Sequence, residues 1–465
     1  MLCSVTRADS LTEVRALVDA GRFTAAEAQI AQTLKQPSLS NKDRDALNFE
    51  RERMRRILLD FSLTAADAQA RLRRQIPDVS STEFAAWDAA GLIEHMVIDG
   101  RTLYFNRAPS NLFRLSADAL KRRGKATPPW TDGPNEIANA HHREVRDQAL
   151  ATGKHSVAPR RVRVTYSLTV NADAVPNGET LRVWLPFPRA LPGQQEDVHL
   201  AESIPAKPTI APESALQRTI YLEQPAEAGK PTMFSITYEL TVFGQYHPID
   251  GDKVRAVKRT AALAPYLAER PPHIVFTPAM RQFSREVVGS ETNTFRIAQK
   301  LFAAVDRIPW AGAREYSTIS NISDYALHAG HADCGQQTLL LMTLLRLNGI
   351  PTRWQSGWVY ADSAYDNMHD WGQLYLPPYG WVPMDVTFGR LQSGDPQIDA
   401  FYLGGLDAYR IAFNDDFSQP FVPAKEFARS DNVDSQRGEV EWRGGNLYFD
   451  QWDYEFKAQV LTDTK

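Results

Sequence analysis

Cysteine is nearly absent: 465 residues hold two, Cys3 and Cys334. That leaves no disulfide framework and no Cys-x-x-Cys metal knuckle, and it leaves the redox compartment open. No apolar run reaches the length of a membrane span. Charge of either sign is not in excess, with a formal net charge of −4, which argues against broad nucleic-acid binding. No second copy of any helical unit recurs at a fixed period, and no calcium-loop pattern occurs. Apolar and aromatic residues are well supplied, at 43% and 10%, so the chain is globular. Its length calls for two to four domains.

The N-terminus is read two ways. Met1-Leu-Cys-Ser-Val-Thr-Arg-Ala8 is too short for a secretory signal, yet it ends in a small-x-Ala pattern that a signal peptidase accepts. A trimmed start would place the protein outside the cytoplasm, in the periplasm, whereas a plain leader would leave it cytoplasmic. Cys3 has no apolar region before it and reads as an incidental thiol rather than a lipidation site.

The chemistry gathers around His331-Ala-Asp-Cys-Gly-Gln-Gln-Thr338 and the apolar run Leu339 to Leu347 that follows. That run is apolar almost all round, as in a buried helix, and Gly349 with Pro351 supplies the stop. Cys334 falls at the helix N-terminus, where unpaired N–H groups and the positive dipole end favour a thiolate. A buried small hydrophobe is the bland alternative.

Two further stretches supply partners. Trp371, Gln373 and Tyr375 alternate with Gly372, Leu374 and Leu376, which predicts a strand starting at His369. Pro377-Pro378-Tyr379-Gly380 is a turn, and Trp381 to Asp385 reads as the returning strand. Such a pair can set His369 beside Asp385. Alone, His369 would be an ordinary strand histidine and Asp385 a turn residue. Cysteine, histidine and carboxylate together make a thiolate–imidazolium pair oriented by a third group.

These segments resemble the transglutaminase-like superfamily, a branch of the papain-like cysteine enzymes, in a bacterial multidomain form. The resemblance rests on Asp333-Cys334-Gly335, Leu347-Asn-Gly-Ile-Pro-Thr-Arg353, His369-Asp-Trp371 and Gly380-Trp-Val-Pro-Met-Asp385-Val-Thr387. His369 follows Cys334 by 35 residues and Asp385 follows His369 by 16, similar to compact microbial members. The resemblance implies Cys334 as nucleophile, His369 as general base and Asp385 as the group orienting the imidazole. It needs no cofactor. The Cys334 N–H is the natural first oxyanion donor. Trp310, Tyr316 and Gln336 remain open as the second, and Trp371 as a substrate contact.

The fold class expected is α+β and multidomain. Residues 9–62 read as a helical hairpin region. Residues 63–157 read as a winged-helix-like unit, with an Asp99-Gly100 hairpin turn, followed by a linker carrying one polar helix from Ile137 to Leu150. Residues 158–248 alternate as in a β-sandwich. Residues 249–465 form the transglutaminase-like catalytic domain, with its motif core at 291–389. Connecting helices are expected within Val254 to Leu267. Gly438 to Trp442 and Asn446 to Asp450 read as a terminal hairpin pairing with the catalytic sheet or rimming its cleft.

His328, His331, Asp333 and Cys334 form a compact N/O/S cluster that could ligate zinc. It leaves His369 and Asp385 unexplained, and no metal is expected. The function expected is cysteine-dependent acyl transfer on amide bonds of a protein or peptide, through a thioester, by hydrolysis or transamidation. The alternative is a catalytically idle scaffold on the same fold. Substrate identity and oligomeric state are not legible.

Overall fold

The computed structural model describes residues 7–461 apart from 126 and 129, so Cys3 and the leader through Thr6 lie outside the described residues. The chain divides into two compact units. One holds Met1–Thr131, Pro309–Asn321 and His331–Asp333. The other holds Asp132–Ile308, Ile322–Gly330 and Cys334–Lys465.

The first unit contains α1 (Arg7–Asp19), α2 (Phe23–Thr33), α3 (Asn41–Asp60), α4 (Ala65–Arg73), α5 (Ser81–Ala89), β1 (His95–Ile98), β2 (Arg101–Tyr104), α6 (Ala108–Leu115) and α7 (Ala117–Arg122). Its helices start where the sequence offers caps. Thr64 with Asp67 and Ser80 with Glu83 both form reciprocal capping boxes. β1 and β2 pair antiparallel around Asp99 (φ 45°) and Gly100 (φ 80°), the left-handed pair a tight hairpin requires. Val14, Ile30, Ile57, Leu72, Phe105 and Leu112 fill the core. The segment Pro309–Asn321 is tied in by Asp60, which accepts from the Glu315 N–H at 3.1 Å and the Thr318 hydroxyl at 2.9 Å.

The second unit runs α8 (Ala140–Thr152), β3 (Ser156–Val170), β4 (Thr180–Pro186), β5 (Gln195–Ile204), β6 (Thr209–Ile210), β7 (Thr219–Pro225) and β8 (Thr232–Tyr246). It continues with α9 (Pro278–Val288), α10 (Thr294–Asp306), α11 (Ile322–His328), α12 (Cys334–Leu347), β9 (Thr352–Tyr360), β10 (Asp366–Leu376) and β11 (Gly380–Met384). It ends with α13 (Pro396–Asp399), β12 (Gly405–Leu406), β13 (Arg410–Asn414), β14 (Glu439–Trp442), β15 (Gly445–Leu447) and β16 (Trp452–Val460). Three sheets result: β11-β10-β9-β13, β12-β8-β3-β16 with β5 also on β8, and β15-β14-β4-β7-β6.

The latter two sheets face each other through the inward residues of alternating strands, among them Val164, Leu168, Val183 and Ile236. Trp358 and Tyr360 of β9 and Ile411 of β13 belong to the same cluster, so the sandwich and the four-stranded sheet share one apolar core. The Trp358 ring stacks on Phe456 of β16 at 4.4 Å.

Three expectations are corrected. The terminal hairpin forms, but β14 pairs with β4 and β16 pairs with β3 along its whole length, so the C-terminal strands complete the sandwich rather than the catalytic sheet. The helix read as part of a linker buries His141, His142, Val145 and Ala149. Between Val254 and Leu267 the chain makes only a short 3-10 turn, Ala264–Tyr266, because Pro265 suits a first turn and little else nearby is periodic.

Candidate active site

α12 begins at Cys334 and is buried from Gly335 through Arg346. Its end is a Schellman cap: Gly349 (φ 76°) donates to Arg346 O and Ile350 donates to Leu345 O, each at 3.0 Å. The thiol is half-buried at the first residue of the helix. It donates to Asp370 Oδ2 at 3.1 Å.

His369 and Asp370 are neighbours on β10, which starts three residues before the expected position and pairs His369 with Gly357 of β9. β13 runs so close behind Gly357 that a Cβ there would lie 1.8 Å from the Ile411 carbonyl oxygen. The histidine is buried, with its ring stacked on Phe388 at 4.2 Å. Nε2 bonds to Asp385 Oδ2 at 2.7 Å. A carboxylate partner makes Nε2 the protonated nitrogen, and Nδ1 is then the one able to act as base.

Asp385 follows β11, and each of its oxygens has two partners. Oδ2 accepts from His369 and, at 2.8 Å, from Arg410 Nη1. Oδ1 accepts from the N–H groups of Thr387 at 3.2 Å and Phe388 at 3.1 Å. Burial opposes the charge, but His369 and Arg410 together outweigh it and hold the carboxyl below its ordinary range. Arg410 also bonds Asp407, and all three groups are buried. Asp407 is likewise depressed: burial works against its charge and Arg410 prevails. Asp407 accepts from Tyr402 at 3.0 Å, and Tyr402 in turn meets His142 Nε2 of α8 at 2.9 Å. A continuous buried polar chain thus runs from α8 to the imidazole.

The other expected residues fall elsewhere. Trp371 shares the strand with His369, but its indole N–H donates to Gln355 Oε1 at 3.0 Å. Gln336 is buried in the first turn of α12. Trp310 and Tyr316 belong to the other compact unit, where the Tyr316 hydroxyl donates to Asp333 Oδ1 at 2.9 Å and Arg114 covers the Trp310 ring at 4.3 Å. His331 and Asp333 also belong to that unit. Among the described residues no group of three or more histidines, cysteines and carboxylates is arranged to hold a metal ion. No described helix is long and apolar enough to cross a membrane.

Residues 281–386 match the model of the Transglutaminase-like superfamily. No curated protein matches the chain. A solved structure of a candidate cysteine protease from Cytophaga hutchinsonii is similar at 15% identity and a TM-score of 0.45, over 67% of this chain and 94% of that one. The periplasmic domain of TgpA from Pseudomonas aeruginosa is similar at 14% identity and a TM-score of 0.26, over 51% of this chain and 94% of that one. Both scores are low, and neither likeness carries a conclusion about activity.

Cys334, His369, Asp370 and Asp385 all lie inside the transglutaminase-like segment. The residues that sequence reasoning missed lie mostly outside it: His142, Tyr402, Asp407 and Arg410. Arg410 carried one usable signal, an arginine directly before three apolar residues, Ile411, Ala412 and Phe413. The histidine pair of α8 carried none.

Proposed function

We propose that this chain is a cysteine-dependent acyl-transfer enzyme acting on amide bonds of a peptide or a glutamine side chain. The observation that carries the reading is the 2.7 Å His369–Asp385 bond, locked by Arg410, one strand residue away from the group that touches the Cys334 thiol. In this reading the thiol gives its proton to His369 Nδ1 and the thiolate attacks the amide carbon. The imidazolium then protonates the leaving amine, and a thioester remains on Cys334. Water or an incoming amine, activated by the same imidazole, releases the acyl group. Asp385 holds the ring and stabilises its charged form. The helix N-terminus favours the thiolate and brings its N–H groups to the oxyanion.

The competing reading, an idle scaffold on the same fold, draws on the thiol's bond to Asp370 rather than to the imidazole. Labelling with iodoacetamide from about pH 4 to about pH 9, followed by intact mass, separates the two. Wild type, Cys3→Ser, Cys334→Ala and His369→Ala are compared. An ion pair predicts fast labelling at Cys334 well below the thiol reference of ~8.5, slowed in His369→Ala. Labelling at the rate of an ordinary thiol in both proteins would sink the enzyme reading. Chelator should leave the labelling profile unchanged.

A further inference from the structure

β16 is an edge strand, and its register fixes which of its backbone groups are already paired. Among the described residues its strand partner is β3, in unbroken register from Trp452 opposite Val170 to Val460 opposite Val162. At one end of that ladder the Gln451 carbonyl accepts from the Asn171 N–H; at the other the Leu461 N–H donates to the Arg161 carbonyl. Bonded positions alternate along an antiparallel pair, and both of these are odd-numbered. The odd residues of β16 therefore bond β3, and the even ones turn their N–H and C=O groups outward. Among the described residues, the outward groups of Phe456 and Ala458 meet no hydrogen-bond partner.

That edge borders a cavity of about 580 Å³. Trp358, Asp366 and Met368 of the β9–β10 pair line one side, and Tyr454, Phe456 and Lys457 line the other. The Tyr454 ring stands edge-on to Trp358 at 6.0 Å, and its hydroxyl reaches Met368 Sδ at 3.9 Å. The walls are thus aromatic, while the rim is acidic. Asp366 and Glu455 face a single ammonium, Lys457, which Glu455 already holds at 2.8 Å. One carboxylate is in excess. The cavity also adjoins the thiol. Met368 and Asp370 stand two residues apart on one face of β10, an offset of roughly 7 Å. Asp370 Oδ2 is the group that accepts from the Cys334 thiol at 3.1 Å.

We propose that this cavity is a substrate subsite, where an extended peptide segment adds to the β16 edge and sets a lysine or arginine side chain between the aromatic walls and Asp366. The inference rests on reading Cys334 as the nucleophile. Strand addition supplies the partners that the Phe456 and Ala458 backbone groups lack, and only an extended chain offers a donor and an acceptor at that spacing. A basic side chain lays its apolar stem along the Trp358 and Tyr454 rings and brings its charge to the excess carboxylate. An acidic side chain in the same place meets Asp366 and Glu455 and is repelled. At about 3.3 Å per residue, the step from Met368 to Asp370 puts the basic residue about two positions from the reacting amide. The substrate class is then a peptide segment marked by a basic residue near the amide.

The test is fluorescence anisotropy on the full chain carrying Cys334→Ala, which reads binding without chemistry. The probes are fluorescein-labelled octapeptide pools, random except for Lys, Glu or Leu at the fourth position. The Lys pool should bind about fivefold or more tighter than the Glu pool, and Asp366→Asn with Glu455→Gln should abolish that preference. Ala458→Pro removes an outward N–H and spares the β3 ladder, to which residue 458 gives no bond. That variant should bind the Lys pool about tenfold more weakly. Equal binding of the pools, binding by none, or undiminished binding in Ala458→Pro overturns the proposal. Should Ala458→Pro not fold, a Lys pool N-methylated at every residue cannot donate to β16, and undiminished binding of that pool overturns it equally. A dimer in sedimentation that Ala458→Pro abolishes, with no peptide bound, would give the edge to a second copy and overturn it too. Iodoacetamide labelling of Cys334 reports separately on the nucleophile. Ordinary labelling with selective peptide binding would defeat the enzyme reading and leave the docking edge; fast labelling without selectivity would do the reverse.

Discussion

Arg410 is the residue on which the site depends without touching the sulfur. Its guanidinium joins two buried carboxylates, Asp385 and Asp407, and lies 5.1 Å from the centres of the Trp371 and Phe388 rings. Replacing a buried ion pair wholesale can be neutral, but removing one partner strands the other. Arg410→Met is therefore expected to lower the unfolding free energy by about 3–5 kcal/mol, checked by urea titration near pH 7. The sign with pH follows from the two carboxyls. Both sit below their ordinary range in the folded protein, against the effect of burial, so their contribution is present above about pH 4 and is lost as the pH falls below it. The gap between wild type and variant should be widest above about pH 5 and close towards pH 3. A constant gap across that range would mean that Arg410 acts by packing alone. The same variant leaves Asp385 to the effect of burial, so it loses charge more easily and orients His369 less well; Cys334 labelling should slow.

At the scale of elements, the close approach of β13 to β9 decides what can stand opposite the histidine. Gly357 is in register with His369, and an alanine methyl there would meet the Ile411 carbonyl, which is backbone and cannot swing aside. Gly357→Ala should separate β13, carrying Arg410, from β9. A loss above about 3 kcal/mol, or no folded protein, is expected. A thermal midpoint matching wild type would show that β13 yields. This strand also marks where the sequence stopped being readable. Asp99-Gly100 as a turn and Gly349 as a helix stop were legible because each acts on its own neighbours. So was the placing of Cys334 at a helix start and of His369 beside Asp385, since a tight turn joins the two strands involved. β13, β14 and β16 pair with strands far away in sequence, and nothing local names the partner. The motif His369-Asp-Trp371 contains Asp370 without marking it as a contact, because alternation along a strand separates its face from that of His369 without saying which face meets α12. His142 reaches the site only through Tyr402 and Asp407, a route no spacing announces.

The whole molecule carries buried ionisable groups that respond to pH in opposite senses. His142 and His273 are buried, and burial drops each to about 4. The unfolded chain then binds more protons between about pH 4 and pH 6.5, so stability is lost as the pH falls through that window. Asp60 behaves in reverse. Burial first, then the Glu315 charge, raises it to about 7, against Arg314 and two hydrogen bonds. Between about pH 4 and that value the folded state binds the extra proton, so stability is lost as the pH rises. These windows overlap, and each group contributes at most about 1.4 kcal/mol per pH unit. In wild type Asp60 offsets part of the histidine slope, so stability between pH 5 and pH 7 should rise less steeply than the histidines alone would make it. Asp60→Asn removes one contribution to that balance while keeping the acceptor for the Thr318 hydroxyl and the Glu315 N–H. On going from pH 5 to pH 8 the variant should therefore gain about 3 kcal/mol more than wild type, read from urea unfolding at the two values. An identical gain in both proteins would mean that Asp60 is charged throughout, held so by Arg314.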